Sequence, residues 1–404
     1  MSTTFLHCKY FVKRKKRYCK MLVKSGEEYC GEHQMSSSLT KARIPCPLDP
    51  KHTVYTNKLQ SHLRICNARV TTVPSYIEKN INVGQMEYSS ASDMLSPYQI
   101  LSTLPKNKVL EVITKINNIY QNNVHISEKF LSFPVVEQEL ECHSEYGNKT
   151  RKHLKQTSAI LGYLNECDML KADTCFIEFG AGRGQLSCWI AEATTQLNNC
   201  KILLIERASP KHKRDNKLSK TSDRIQRIRA DIADLVLEKL EVFSTVKNVI
   251  GITKHLCGSA TDLAIRCMVQ STLTKCKSTS LLFTFCCHHK CTWTTYTGKN
   301  FFQENNLCVE DFNIICGLTS WATCGTGLSR EYRENVKIDV LEDENAQVER
   351  YDFNRIEKEE IGRKCKNIIN WGRFKYLEEN GFQCSLHYYC DKEITPENVC
   401  ILAI

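Results

Sequence analysis

The stretch Thr174-Cys-Phe-Ile-Glu178-Phe-Gly180-Ala-Gly182-Arg-Gly184, continuing through Gln185 to Leu197, decides the fold. Its first six residues are a short run rich in apolar side chains, the pattern of a buried strand. Glycine at every second position from 180 to 184 then makes a turn. Leu186, Trp189, Ile190, Ala193 and Leu197 fall on one face of a helix over 185–197. Strand, glycine turn and helix in this order open a doubly wound α/β sheet.

The alternation continues outward. Lys201–Glu206 (KILLIE) reads as a second strand ending in an acid; Ile228–Asp231 ends a third, Val249–Thr253 forms a fourth and Ser280–Phe285 a fifth. After a long helical region, Cys384–Cys390 and Val399–Ile404 form a terminal strand pair. Upstream, Lys149–Leu164 reads as a helix leading into this Rossmann-like domain, which is expected over 149–404. Residues 70–148 are expected to be a linker and helical region: a polar segment over 70–95, then two helices from Ser96 to Val124 broken near Pro105.

The glycine loop separates two cofactor classes. Dinucleotide enzymes use G-x-G-x-x-G, because backbone and helix N-terminus receive a pyrophosphate. Here the glycines 180, 182 and 184 recur every second residue, with Glu178 inside the strand. S-adenosylmethionine carries an ammonium, a sulfonium and a ribose but no phosphate, which suits one acid below the loop and another closing strand two. Glu178 and Glu206 occupy those positions, and Asp231 is placed to meet the adenine amine. Solvated strand-end acids are the bland alternative for Glu206 and Asp231, and turn formation alone for the glycines.

Charge and cysteine bound the rest. Residues 1–69 hold 14 Lys/Arg and 4 Asp/Glu, so the whole formal charge of +10 sits there and the remainder of the chain is neutral. That points the N-terminal segment at an anionic partner, nucleic acid above all. No apolar run approaches the ~18 residues of a membrane span, and the first residues lack the apolar core of a secretory signal. Twenty-three cysteines are then expected reduced, some of them metal-bound.

Two sets of four ligands stand in this basic segment. Cys8, Cys19, Cys30 and His33 have the spacing C-x10-C-x10-C-x2-H, and Cys46, His52, His62 and Cys66 the spacing C-x5-H-x9-H-x3-C. Each supplies the four soft or borderline donors of a tetrahedral zinc site. Segments this short bury little, so the metal is expected to supply their folding energy. A helix over Asn57–Ile65 places His62 and Cys66 one turn apart. Ordinary reduced cysteines and surface histidines are the alternative. Lys13–Arg17, beside Tyr10, Phe11 and Tyr18, suits phosphates and stacked bases, or a plain solvated loop.

The second set resembles the CHHC zinc finger shared by a minor-spliceosome (U11-48K-type) protein and the TRM13 family of tRNA methyltransferases, and the first resembles the CCCH finger preceding it in that family. EFGAGRG (178–184), KHLCGSATDLAIRC (254–267), FCCHHKCTW (285–293) and GRKCKNIINWGR (362–373) are similar to motifs of the same family, as is RKHLKQTSAILG (151–162). The resemblance covers nearly the whole 149–404 region and implies a CCCH finger over 1–38 and a CHHC finger over 41–69. It further implies S-adenosylmethionine-dependent 2′-O-methylation of a ribose in the acceptor stem (position 4) of certain tRNAs, two structural zinc ions, and Gln156 as a cofactor contact. Thr157 departs from it, standing where a second Gln is expected.

Ribose O-methylation asks for positioning and for loss of the hydroxyl proton. Lys254 and His255 are the expected catalytic pair, the lysine lowering the hydroxyl's effective pKa and the histidine taking the proton; phosphate pairing and a satisfied pocket histidine are their alternatives. Cys286-Cys-His-His-Lys-Cys291 invites a third metal site, yet adjacent ligands rarely wrap one ion, so pocket lining is the expectation. His288 and His289 are spare bases. Lys211–Lys220 with Arg224, Arg227 and Arg229 form a second basic stretch, and 339–352 an acidic insertion. Rival readings are a protein methyltransferase and a non-catalytic RNA-binding adaptor of the spliceosomal kind. tRNA is the expected partner, no membrane or obligate protein partner is inferred, and the compartment is nucleus, cytoplasm or both.

Overall fold

A computed structural model describes residues 7–12, 17–23, 26–30, 33, 43–66, 68–69, 73–84, 101, 104–210, 223–274, 277–322 and 351–404. The chain divides into two compact units, Met1–Pro74 and Ser75–Ile404. Outside the described residues lie most of the basic run at 13–17, the stretch 211–220, most of the acidic insertion and the expected helix before Pro105, Leu101 and Leu104 excepted.

In the first unit, β1 (Phe11–Val12) pairs antiparallel with β2 (Arg17–Tyr18), and β3 (Arg43–Cys46) with β4 (Asp49–Tyr55). A 3₁₀ turn over Thr56–Lys58 leads into α1 (Leu59–Ile65), so the helix expected from Asn57 starts as a tighter turn; Lys58 offers no side-chain cap to begin it earlier. Apart from cysteines, Val54 is the one buried apolar residue among those described here.

The second unit is built on an eight-stranded mixed sheet. In chain order its strands are β5 (Ser127–Glu128), β6 (Thr174–Phe179), β7 (Lys201–Ile205), β8 (Ile225–Ile228), β9 (Asn248–Cys257), β10 (Ser278–Cys286), β11 (Cys384–Tyr388) and β12 (Val399–Ala403). Their spatial order is β5-β11-β12-β10-β9-β6-β7-β8. All neighbours are parallel except β12, which runs antiparallel between β10 and β11. The chain winds from β6 outward to β8, then returns to the other side of β6 with β9. That reversal opens a crevice at the carboxyl ends of β6 and β9, where open α/β sheets hold ligands.

Successive residues of each strand feed opposite faces, as a period of two requires. Cys175, Ile177, Phe179, Leu203 and Ile205 join one core with helices α2 (Lys106–Asn123), α6 (Ser259–Thr274), α8 (Val309–Leu318) and α9 (Arg355–Glu379). Phe176, Ile202 and Leu204 join the other, under α3 (Pro134–Cys142), α4 (Asn148–Glu166) and α5 (Gln185–Ala193). A short helix, α7 (Lys299–Glu304), precedes α8. Of the stretch read as linker, residues 75–84 lie in this unit, where buried Asn82 donates to the carbonyls of Ile232 (2.6 Å) and Leu235 (2.8 Å).

Three elements differ from the sequence reading. α5 stops at Ala193, where Thr194 turns its hydroxyl back to the Ile190 carbonyl at 2.7 Å. β8 ends at Ile228, and Asp231 instead accepts from the Ala233 N–H at 3.1 Å, capping a 3₁₀ turn. β9 runs on to Cys257, so Lys254–Cys257 belong to a strand rather than to a loop after it. Its pairing with β10 slips between Phe283 and Phe285. Lys254 is buried there; His255 is exposed overall but meets Gln156 in a partly buried contact. Among the described residues no helix is long and apolar enough to cross a membrane.

Candidate active site and metal centres

The glycine loop needs its glycines for backbone conformation. Gly180, Gly182 and Gly184 have φ of +67°, +49° and +73°, the left-handed region that other residues adopt at a cost. A Cβ on Gly180 would also lie 2.8 Å from the Leu256 side chain, so the loop packs directly on the end of β9. Above Gly182 a Cβ meets nothing nearer than 4.0 Å, which leaves open space over the loop.

The three expected cofactor acids line this crevice in different states. Glu178 is buried, and its Oε2 accepts from the Ser187 N–H at 3.0 Å and from the Ser187 hydroxyl. Burial pushes its carboxyl up to about 7, against the pull of Ser187, Lys254 and Arg227. Glu206 accepts from the Gly182 N–H (2.9 Å) through one oxygen and from the Ala208 N–H (2.8 Å) through the other. A carboxylate has about four lone-pair sites, so Glu206 keeps acceptor capacity for further donors. Asp231 pairs with exposed Arg207 at 3.1 Å. This set fits a phosphate-free, cationic cofactor: acids and free space surround the loop, and Arg227 is turned onto the Gly182 carbonyl at 3.0 Å.

At the end of β9 the chain joins residues about one hundred positions apart. The Lys254 ammonium donates to the His153 carbonyl at 2.6 Å and to the Thr157 hydroxyl at 2.7 Å, both on α4. Thr157 thus holds the lysine from a position where the resemblance implied glutamine. Burial lowers the lysine to about 8, opposed by the Glu178 carboxylate. His255 Nε2 lies 3.1 Å from Gln156 Oε1. With the amide oxygen accepting, Nε2 carries the proton and Nδ1 keeps a free lone pair. Loss of hydration and then the Lys254 cation push His255 down to about 4, so it is neutral at physiological pH. His153, whose ring centroid is 5.9 Å from that of His255, is lowered by the same causes in the same order.

Lys254, His255 and Gln156 are therefore brought together beside the glycine loop, and Gln156 faces His255. The Cys286–Cys291 string is split. His288 is buried, with Nε2 bonded to Asn370 Oδ1 at 2.8 Å. Cys291 turns the other way to accept from Arg373 at 3.2 Å, while Cys286 and Cys287 meet Cys257. Sequence reasoning missed His153, Ser187 and the anchor Arg373, whose guanidinium pairs with Asp262 at 2.7 Å, both fully buried. A charged pair at the turn after β9 leaves no trace in spacing.

The two N-terminal ligand sets each converge, with all donor atoms of a set within 4.8 Å of one another. In the first, His33 Nδ1 lies 3.4 Å from both Cys8 Sγ and Cys30 Sγ, and Cys19 Sγ lies 4.0 Å from Cys30 Sγ. In the second, Cys46 and Cys66 Sγ are 3.7 Å apart, the Nε2 atoms of His52 and His62 are 3.1 Å apart, and Cys66 Sγ lies 3.6 Å from His52. Zn–S of ~2.3 Å and Zn–N of ~2.0 Å in a tetrahedron demand donor separations of this size. Asp49 lies 3.6 Å from His52 Nδ1, the carboxylate–histidine support common behind zinc ligands.

Residues 155–404 match the family described as Methyltransferase TRM13, residues 6–34 the CCCH zinc finger in TRM13 protein, and residues 43–67 the U11-48K-like CHHC zinc finger. The chain is similar to proteins named tRNA:m(4)X modification enzyme TRM13 homolog from Mus musculus, 33% identical over 98% of this chain and 94% of that protein, and from Homo sapiens, 32% identical over the same shares. The Schizosaccharomyces pombe tRNA:m(4)X modification enzyme TRM13 is 32% identical over 89% of this chain and 95% of its own. Among solved structures, the plantazolicin methyltransferase BpumL aligns with 74% of this chain and 99% of its own, at 10% identity and a TM-score of 0.31. The glycine loop, the β9 edge and both fingers lie within the matched regions, and with a family match over more than half its length the chain belongs to the TRM13 family of methyltransferases.

Proposed function

We propose that this chain 2′-O-methylates a ribose in the acceptor stem of tRNA, at position 4, using S-adenosylmethionine. The observation that carries the reading is the joining of Lys254, His255 and Gln156 beside the glycine loop, at the carboxyl edge where β6 and β9 part. The relatives' name, tRNA:m(4)X modification enzyme, leaves the modified nucleotide as X, which suits chemistry on a ribose, the part every nucleotide shares. S-adenosylmethionine supplies an electrophilic methyl group on sulfur, open to in-line attack by an oxygen. Everything else falls to this chain's residues.

Glu206 and Asp231 orient the ribose and adenine of the methyl donor, and the glycine loop lets it approach the backbone. The Lys254 ammonium faces the 2′-oxygen and stabilises the negative charge that develops as its proton leaves. His255, held as the Nε2–H tautomer by Gln156, receives that proton on Nδ1. A base this weak suffices because the hydroxyl grows acidic as its oxygen bonds to carbon. Gln156 acts through the histidine and is a positioning residue. The fingers and the +10 of residues 1–69 hold phosphates of the A-form stem, recognising shape more than sequence.

The test is methyl transfer from labelled S-adenosylmethionine to tRNA from cells lacking this modification, followed by alkaline digestion. A 2′-O-methyl group blocks cleavage at its own phosphodiester, so label in resistant dinucleotides is the expected result. Label in mononucleotides means base methylation and sinks the ribose assignment. Label that appears only in protein and survives RNase moves the substrate to a polypeptide.

A further inference from the structure

The ends of β9 and β10 bring together three thiols that methyl transfer does not use. Cys257 Sγ lies 3.2 Å from Cys286 Sγ and 3.3 Å from Cys287 Sγ, and all three lie within 4.8 Å of one another. No local spacing makes this cluster; the parallel pairing of Cys257 with Cys286 does. Two tight turns hold it. Cys287 sits at φ +49°, ψ +45°, left-handed backbone that a non-glycine residue adopts only at a cost. Gly258, at φ +56°, brings its turn so near that a Cβ would lie 2.5 Å from the Lys290 carbonyl oxygen.

Neutral thiols gain little from such crowding, since S–H is a weak donor and sulfur a weak acceptor. The finger sets give the scale, with Sγ pairs at 3.7 and 4.0 Å. A tetrahedral Zn–S of ~2.3 Å asks for sulfurs about 3.8 Å apart, so the Cys257–Cys286 and Cys257–Cys287 pairs open by about half an ångström.

We propose that Cys257, Cys286 and Cys287 hold a third zinc ion through three thiolates, with its fourth position open to solvent at the exposed edge. Among the described residues no fourth donor joins the group, and three protein ligands with a free corner mark zinc sites that take an exchangeable water or substrate atom. A thiolate set selects zinc or another thiophilic cation over magnesium or calcium. Cys257 is two residues from His255, which puts the open position at the same sheet edge as the proposed methyl transfer. The proposal concerns metal content alone, and holds or fails whatever the methyl acceptor proves to be.

The full chain, purified with reductant and dialysed against a weak chelator, should contain three zinc ions by mass spectrometry of the metal. Cys257→Ser and Cys287→Ser should each contain two, with unchanged melting of the sheet unit. In the unaltered protein, exposed Cys257 should resist a maleimide until a strong chelator is added. That second measurement stands if either variant fails to fold. Two zinc ions in the unaltered protein, three in both folded variants, alkylation of Cys257 at one rate with and without chelator, or a mapped disulfide between Cys257 and either partner each overturn the site.

Discussion

The finger unit and the sheet unit solve the same problem in opposite ways. Among the described residues up to Pro74, Val54 is the single buried apolar side chain besides ligand cysteines, while Tyr10, Phe11, Tyr18, Met21, Leu22 and Ile65 stand exposed. From Ser75 onward two apolar cores cover both faces of a sheet. One unit is organised by eight ligand atoms, the other by alternating strands and helices between them. Apolar content therefore says little about where this chain is ordered, and ligand spacing says a great deal.

Metal removal should break the comparison most sharply. Structural zinc in finger peptides contributes about 10–16 kcal/mol of apparent folding free energy. Strong chelation should render residues 1–74 of the full chain protease-sensitive while the thermal melt of the sheet unit stays within a few degrees. Equal loss of both units would refute the contrast.

Next in size is Arg373→Ala. It strands Asp262 without its partner in a fully buried pair, a change that costs about 3–5 kcal/mol. Denaturant unfolding should show that loss in the sheet unit and leave zinc content unchanged. A loss below 1 kcal/mol would mean that Asp262 finds water or another donor.

The pH response sharpens the site itself. Folded Glu178 holds its proton to about 7 against an ordinary 4.5, so the native state binds more protons between those values and stability falls as pH rises through that window. A shift of that size corresponds to roughly 3 kcal/mol. Glu178→Gln should flatten this slope in urea midpoints measured from pH 4.5 to 7. Lys254 acts at the other end. Single-turnover methyl transfer should decline as pH passes about 8, where the ammonium is lost, and Lys254→Met should abolish that limb and slow the step by about 10²–10⁴-fold. A rate that instead rises through pH 8 would assign the lysine the role of base.

The smallest expected effect is at Asp231. Removing its cap and its exposed pair with Arg207 by Asp231→Ala should cost about 1 kcal/mol of stability. Calorimetry should nevertheless show S-adenosylmethionine bound about tenfold more weakly, as loss of one hydrogen bond to a charged group predicts. Unchanged affinity would leave Asp231 a structural cap.

What could be read in advance was what chemistry writes locally. The strand before the glycine loop, the loop itself and both ligand sets are contiguous or closely spaced, because a turn needs its glycines and a small metal site needs its donors nearby. What could not be read depends on which strands become neighbours. Gln156 meets His255, Lys254 meets Thr157, and Cys257 meets Cys286 only because α4, β9 and β10 pack together. Cys291 leaves its sequence neighbours for the same reason, drawn to Arg373 on α9.

The placing of β12 bears on how the protein is made. This strand follows every other strand of the sheet in the sequence, yet it lies inside the sheet, hydrogen-bonded to β10 on one side and β11 on the other. Synthesis delivers the finger segments and the Lys254 edge long before this closing piece, and domains generally fold in the order in which they emerge. A chain halted before Val399 carries its ligands and its glycine loop, but presents two bare strand edges to its neighbours, an invitation to aggregate. Completing the sheet is therefore what covers those two edges, and the last strand of the sheet to emerge is the one that does it.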